Sequence, residues 1–130
     1  MYEMGRFLSE LDVRQISKHR WLLLRPLRYE HDGKLYVIPR GFITDFASVP
    51  RLPLVYSMAG DTGHRAAVLH DWLYRVQICS RARADRLFRI ALQDDGEPAW
   101  RAWMMWAGVR AGGFFVWRKY EKDIRRSAVA

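Results

Sequence analysis

His64-Arg-Ala-Ala-Val-Leu-His70-Asp71-Trp-Leu-Tyr74-Arg-Val76 and, beyond a short link around Gln77–Cys79, Arg81-Ala-Arg-Ala-Asp85-Arg-Leu-Phe88-Arg-Ile-Ala91-Leu92-Gln93 decide the fold. At about 100° per residue, Ala66, Leu69, Leu73 and Val76 share one face of the first helix, with His70 and Tyr74 along its edge. Asp71 and Arg75 fall on the solvent side, spaced as a surface ion pair. In the second helix Ala84, Phe88, Ala91 and Leu92 form the apolar face, with Asp85 on its rim. Ser80 caps this helix and Asp94-Asp95-Gly96 ends it. A link this short makes the helices antiparallel neighbours. The midpoint of positions 70 and 85 lies inside the link, so His70 and Asp85 sit at one level across a gap of about 8–10 Å.

Outward from this hairpin the pattern changes. Trp21 to Arg28 is strand-like, His31-Asp-Gly-Lys34 is a turn signal, and Leu35–Ile38 reads as the returning strand. A second short strand ends at Thr44-Asp45, and Pro50 and Pro53 predict a loop before Ser57. Asp61 or Thr62 stands where a cap for the helix from His64 is needed. Residues 1–18 lack a clear period; Ser9 to Ile16 reads as a short helix or an edge segment. Pro98 opens a third helix toward Arg110, and Gly112-Gly113 breaks it. Phe114, Trp117, Tyr120 and Ile124 then recur at helical spacing opposite Arg118, Lys119, Lys122 and Arg125. The class is α+β: a small antiparallel β region, then an antiparallel helical hairpin and further C-terminal helices, in one domain over 1–130.

The chain has 130 residues, enough for one core without metal or disulfide staples. Its single cysteine, Cys79, excludes an internal disulfide framework and fits a reducing compartment. No charged segment leading into an apolar one opens the chain, so no secretion signal is expected. Residues 1–60 carry nine Lys/Arg against six Asp/Glu, and residues 61–130 thirteen against eight, which together give the net +8. That spread reads either as an affinity for polyanions or as an Arg-rich solubility face.

Polar chemistry gathers at a few positions. An Asp that accepts Nδ1–H of a His fixes the tautomer and leaves Nε2 as a general base, which makes His70 and Asp85 the best chemical pair in the chain. The bland readings are a surface ion pair of Asp85 with Arg81 or Arg89, and a core His70 bonded to a backbone carbonyl. Tyr74 reads as an anchoring core aromatic or as a catalytic acid. Asp45 and Ser48, just before Pro50, read either as residues that tie down their own loop or as a ligand and a pocket hydroxyl. A Ser48–His70–Asp85 triad lacks the Gly-x-Ser-x-Gly context. No His or Cys pattern specifies a metal; calcium, on Asp45, Asp61 and backbone carbonyls, is the one cofactor the sequence admits.

Gly41-Phe-Ile-Thr-Asp45-Phe-Ala-Ser48-Val-Pro50, Ala66-Ala-Val-Leu-His70-Asp71-Trp-Leu-Tyr74 and Arg83-Ala-Asp85-Arg-Leu-Phe88, in that order, resemble the domain of unknown function 1353 family of tailed phages and prophages. The resemblance spans roughly residues 33–110 and leaves out the basic, aromatic extension 113–130. It implies a phage setting, in the bacterial host cytoplasm or the virion, and an α+β domain without an established activity. His70-Asp71-x-x-Tyr74 with Asp85 on a partner helix is also similar to phospholipase A2. That likeness implies water activation by His70 with Asp85, and Asp71 as a calcium carboxylate; the disulfides and glycine-rich calcium loop of those enzymes are missing here.

Three functional readings follow. One is a small ester hydrolase using His70, Asp85 and Tyr74, with Asp45, Ser48 and Asp71 binding. The second is a non-enzymatic phage tail or assembly component in which the same cluster locks the fold. The third is a host-directed binder of nucleic acid or protein. The Trp100–Trp117 stretch reads by default as a core helix, since Arg101 and Arg110 argue against a membrane span. The sharper reading makes Trp100 to Ile124 a docking segment for phage structural proteins, a host macromolecule, nucleic acid or an anionic membrane surface.

Overall fold

The computed structural model describes residues 4–45 and 63–129. Among the described residues, six short strands precede four helices: β1 Gly5–Phe7, β2 Val13–Ser17, β3 Arg20–Leu23, β4 Leu27–His31, β5 Lys34–Ile38, β6 Ile43–Thr44, α1 His64–Val76, α2 Arg81–Asp94, α3 Ala99–Gly112 and α4 Phe114–Val129. The strands form two antiparallel three-stranded sheets, ordered β1-β4-β5 and β2-β3-β6. The α+β class is therefore as expected. Of the two readings of Ser9 to Ile16, the edge segment holds, since β2 is an edge strand. One local expectation changes: Trp21 to Arg28 is two strands in different sheets, parted before Pro26, which cannot donate to a ladder.

The β4–β5 hairpin turns where the sequence signals it. Asp32 and Gly33 both take positive φ, 52° and 74°, as a tight two-residue hairpin turn requires. Alternation along these strands turns Leu27, Tyr29, Tyr36 and Ile38 into the core. Helix α2 bridges that sheet at both ends. Asp94 accepts the Tyr29 hydroxyl at 2.6 Å and the Gly5 N–H at 3.1 Å, while Arg83 donates to the Tyr36 hydroxyl at 3.3 Å.

Ser80 caps α2 by accepting the Arg83 N–H at 3.1 Å. The link before it turns because Gln77 enters the left-handed region at φ 51° and closes α1 with a bond to the Leu73 carbonyl. A non-glycine residue there is strained, and the Gln77 side chain offsets this by donating to the Trp117 carbonyl of α4 at 2.9 Å. Helix α1 is buried almost all round: Ala66 to Asp71, Leu73 and Tyr74 are enclosed, whereas Val76 is exposed. Helices α2, α4 and strand β6 all pack on α1, so it has no broad solvent face.

Helix α3 departs furthest from expectation. Although apolar, it buries only Ala102 and Val109. Trp100, Trp103 and Met104 are exposed, followed by Phe114 and Phe115 at the start of α4. The corner between α3 and α4 must be glycine at 113, because a Cβ there would collide with the Tyr74 hydroxyl. Trp117 and Tyr120 of α4 are half-buried against the core; Phe114 and Ile124 are not.

Candidate functional site

The hairpin places His70 and Asp85 together as the level-matching predicts. His70 Nε2 lies 2.7 Å from Asp85 Oδ1, and both side chains are fully enclosed. The same oxygen accepts the Tyr74 hydroxyl at 2.7 Å. Oδ2 faces Arg110 Nη1 at 2.8 Å and Arg81 Nη1 at 3.4 Å. One carboxylate thus gathers donors from α1, from its own helix and from the end of α3. The Arg81 pairing therefore exists beside the His70 bond rather than instead of it. Arg89 instead stacks over Trp103, 4.0 Å from the ring centroid.

Two sequence-based details are corrected. Asp85 lies in the core, not on the rim, because α3 covers the side of α2 that a lone hairpin would leave open. The imidazole meets the carboxylate through Nε2, not Nδ1. Burial alone would push the Asp85 carboxyl up, but His70, Tyr74 and Arg110 outweigh it and hold the group below the ordinary carboxylate range. An ionised carboxylate only accepts, so His70 donates through Nε2–H. The ring lies between Tyr74 and Phe88, with centroids 4.3 and 4.6 Å away.

Tyr74 is an enclosed anchor. Its phenol is pushed up by burial and then by the negative charge of Asp85. Its ring takes the edge of Trp117 at 5.1 Å, which fastens α4 to the same point. Arg81 further donates to the carbonyls of Val109 and Arg110 at 3.2 and 3.3 Å, closing the C-terminal turn of α3. Arg110 is the member that reading the sequence for a site missed. The signal was present: an arginine inside an apolar helix needs an acidic partner. Arg101 answers the same rule by pairing with Glu97 at 3.0 Å.

Asp71 belongs to a second cluster and is buried, contrary to its surface assignment. Thr44 of β6 donates to its Oδ2 at 2.6 Å, and Arg75 Nε stands 3.7 Å from its Oδ1. Arg75 also faces Asp45 at 3.5 Å and lies over Tyr120, 4.9 Å from the ring centroid. Burial raises the Asp71 carboxyl despite the opposing Thr44 bond and Arg75 charge. Burial, then the Asp71 charge, pushes the Tyr120 phenol up to about 12. Asp45 therefore joins Asp71 through Arg75, apart from the His70–Asp85 pair. Ser48, and with it Asp61 and Thr62, lies outside the described residues. Among the described residues, no three His, Cys, Asp or Glu side chains gather as a metal site. No helix among them is long and apolar enough to cross a membrane.

No curated protein and no solved structure matches the chain. The family model described as "Protein of unknown function (DUF1353)" matches residues 21–109, from β3 to the last turn of α3. The matched stretch carries His70, Asp71, Tyr74, Arg81 and Asp85 and stops one residue short of Arg110. Two thirds of the chain lie within that match, and the protein belongs to the DUF1353 family.

Proposed function

We propose that this protein is a non-enzymatic component of a tailed phage or prophage, and that the His70–Asp85 pair locks its helices together. The observation that carries the reading is the saturation of Asp85: four donors from three helices meet one fully enclosed carboxylate. A general base has to reach water or substrate, within about 3.2 Å of the proton it takes. His70 is enclosed and commits one ring nitrogen to Asp85, so its ring has no exposed edge with which to meet water or substrate. The resemblance of the three motifs to a family of tailed phages and prophages supports the setting.

The test sets stability against turnover. Purified protein is assayed on phospholipid and simple ester panels, with and without calcium, and His70→Ala is compared with wild type in urea unfolding. The proposal expects no turnover and a clear drop in the urea midpoint of His70→Ala. Ester turnover that His70→Ala abolishes while its midpoint stays unchanged would replace it with the hydrolase reading.

A further inference from the structure

Helix α3 is inside out. Its two charged residues turn toward the protein, Arg101 to Glu97 and Arg110 to Asp85, at 3.0 and 2.8 Å. Its outward positions are Trp100, Trp103, Met104 and Ala107, spaced along one helical stripe. Phe114 and Phe115, just past the glycine corner, are exposed as well, Phe115 at 78%. Large apolar side chains exposed in this number within one short stretch mark an interaction site.

The charge around the stripe selects its occupant. Residues 99–129 hold seven Lys/Arg (Arg101, Arg110, Arg118, Lys119, Lys122, Arg125 and Arg126) and two acids, Glu121 and Asp123. They thus carry +5 of the net +8. A second copy would bring the same positive rim against itself. At the stripe itself Arg101 and Arg110 turn inward to acids and Arg89 stacks on Trp103, so its centre offers rings rather than the row of cations that nucleic-acid phosphates require. The remaining pattern is an exposed strip of Trp, Met and Phe edged by cations. Guanidinium groups lie beside the exposed rings: Arg101 at 5.2 Å from the Trp100 centroid, Arg118 at 5.7 Å from that of Phe114. Such side chains suit the boundary between acyl chains and anionic headgroups.

We infer that the outer face of α3, with the first turn of α4, seats on an anionic lipid surface. The aromatic and Met side chains enter the headgroup–acyl boundary, and Lys119, Lys122, Arg125 and Arg126 meet the lipid phosphates. The helix lies in the plane of the surface and does not span it.

The full chain is mixed with vesicles of phosphatidylcholine alone or with phosphatidylglycerol added, and binding is read by co-sedimentation and by quenching of Trp fluorescence with brominated lipid. Binding should require phosphatidylglycerol and weaken with salt. Lys119→Gln and Lys122→Gln should each reduce it about fivefold. Phe115→Ser should reduce it by at least about tenfold. Each variant is first shown to keep the wild-type urea midpoint, and the charge variants lie on the exposed side of α4, away from the core. Absence of sedimentation with both vesicle types, equal binding to both, Trp quenching unaltered by Phe115→Ser, saturable binding to DNA in place of lipid, or concentration-dependent dimers that bury Trp100 and Trp103 would each overturn the inference.

Discussion

Asp85→Asn is the perturbation that bears hardest on the fold. It keeps the shape of the side chain and removes its charge. The amide has one acceptor oxygen, so its NH2 must face either the His70 and Tyr74 donors or the two guanidinium groups. Breaking a buried pair by removing one partner costs about 3–5 kcal/mol. A third of the Arg110 side chain is exposed and water partly screens it, which places the cost near the lower figure. Unfolding entropy of about 2.1 cal/mol/K per residue over 130 residues makes each kcal/mol worth about 4 °C, so a loss of about 3 kcal/mol lowers Tm by about 11 °C. Urea and thermal unfolding followed by circular dichroism provide the assay. Tyr74→Phe, which removes one of the four donors, should cost about 1.5 kcal/mol. Asp85→Asn within about 4 °C of wild type would refute the reasoning, since a saturated buried carboxylate cannot lose its charge at so little cost.

Gly113→Ala should destabilise by about 1–3 kcal/mol through overpacking, and part of this should be recovered in a Tyr74→Phe background, where the obstructing hydroxyl is gone; a double-mutant cycle in urea measures the recovery. The two buried aspartates should act oppositely with pH. Asp85, whose carboxyl is held low, stabilises the fold above about pH 3.9, and that contribution is lost as pH falls through its folded value. Asp71, whose carboxyl is raised, contributes fully below about pH 3.9 and loses its contribution as pH rises through its folded value. Urea midpoints of Asp71→Asn should therefore rise relative to wild type as pH rises through the folded value of Asp71, while those of Asp85→Asn fall relative to it between acid and neutral pH. Gln77→Ala should cost about 1 kcal/mol by losing its bond to the Trp117 carbonyl, with protection of α4 amides in hydrogen exchange falling first.

What the sequence made legible was local punctuation. Asp32-Gly33, Ser80, Pro98 and Gly113 each mark a boundary by their own backbone or side-chain chemistry, and the hairpin and helices follow them. The His70–Asp85 contact was legible because a short link fixes the level of facing residues. The need of Arg110 for an acidic partner was legible too, but not that the partner is Asp85, which lies 25 residues away on another helix whose docking no local rule specifies. Asp71 was misplaced because a helical wheel assumes one buried face, and α1 is enclosed by α2, α4 and β6 together. Helix α3 has apolar residues on all sides, so periodicity gave no sign of which would face outward. The strands before Arg20 are three and five residues long, too short for alternation to distinguish them from an edge segment or a helical turn.

The most direct measurement is the exchange of the His70 ring proton with water, followed by NMR on uniformly labelled protein. A sealed Nε2–H donated to Asp85 should give a resolved nitrogen–proton correlation at neutral pH, with exchange slowed toward the rate of global unfolding. Asp85→Asn should remove that protection. A His70 ring proton that exchanges as fast as one in a solvent-exposed histidine would contradict the account and show that the pair opens to water in the native state.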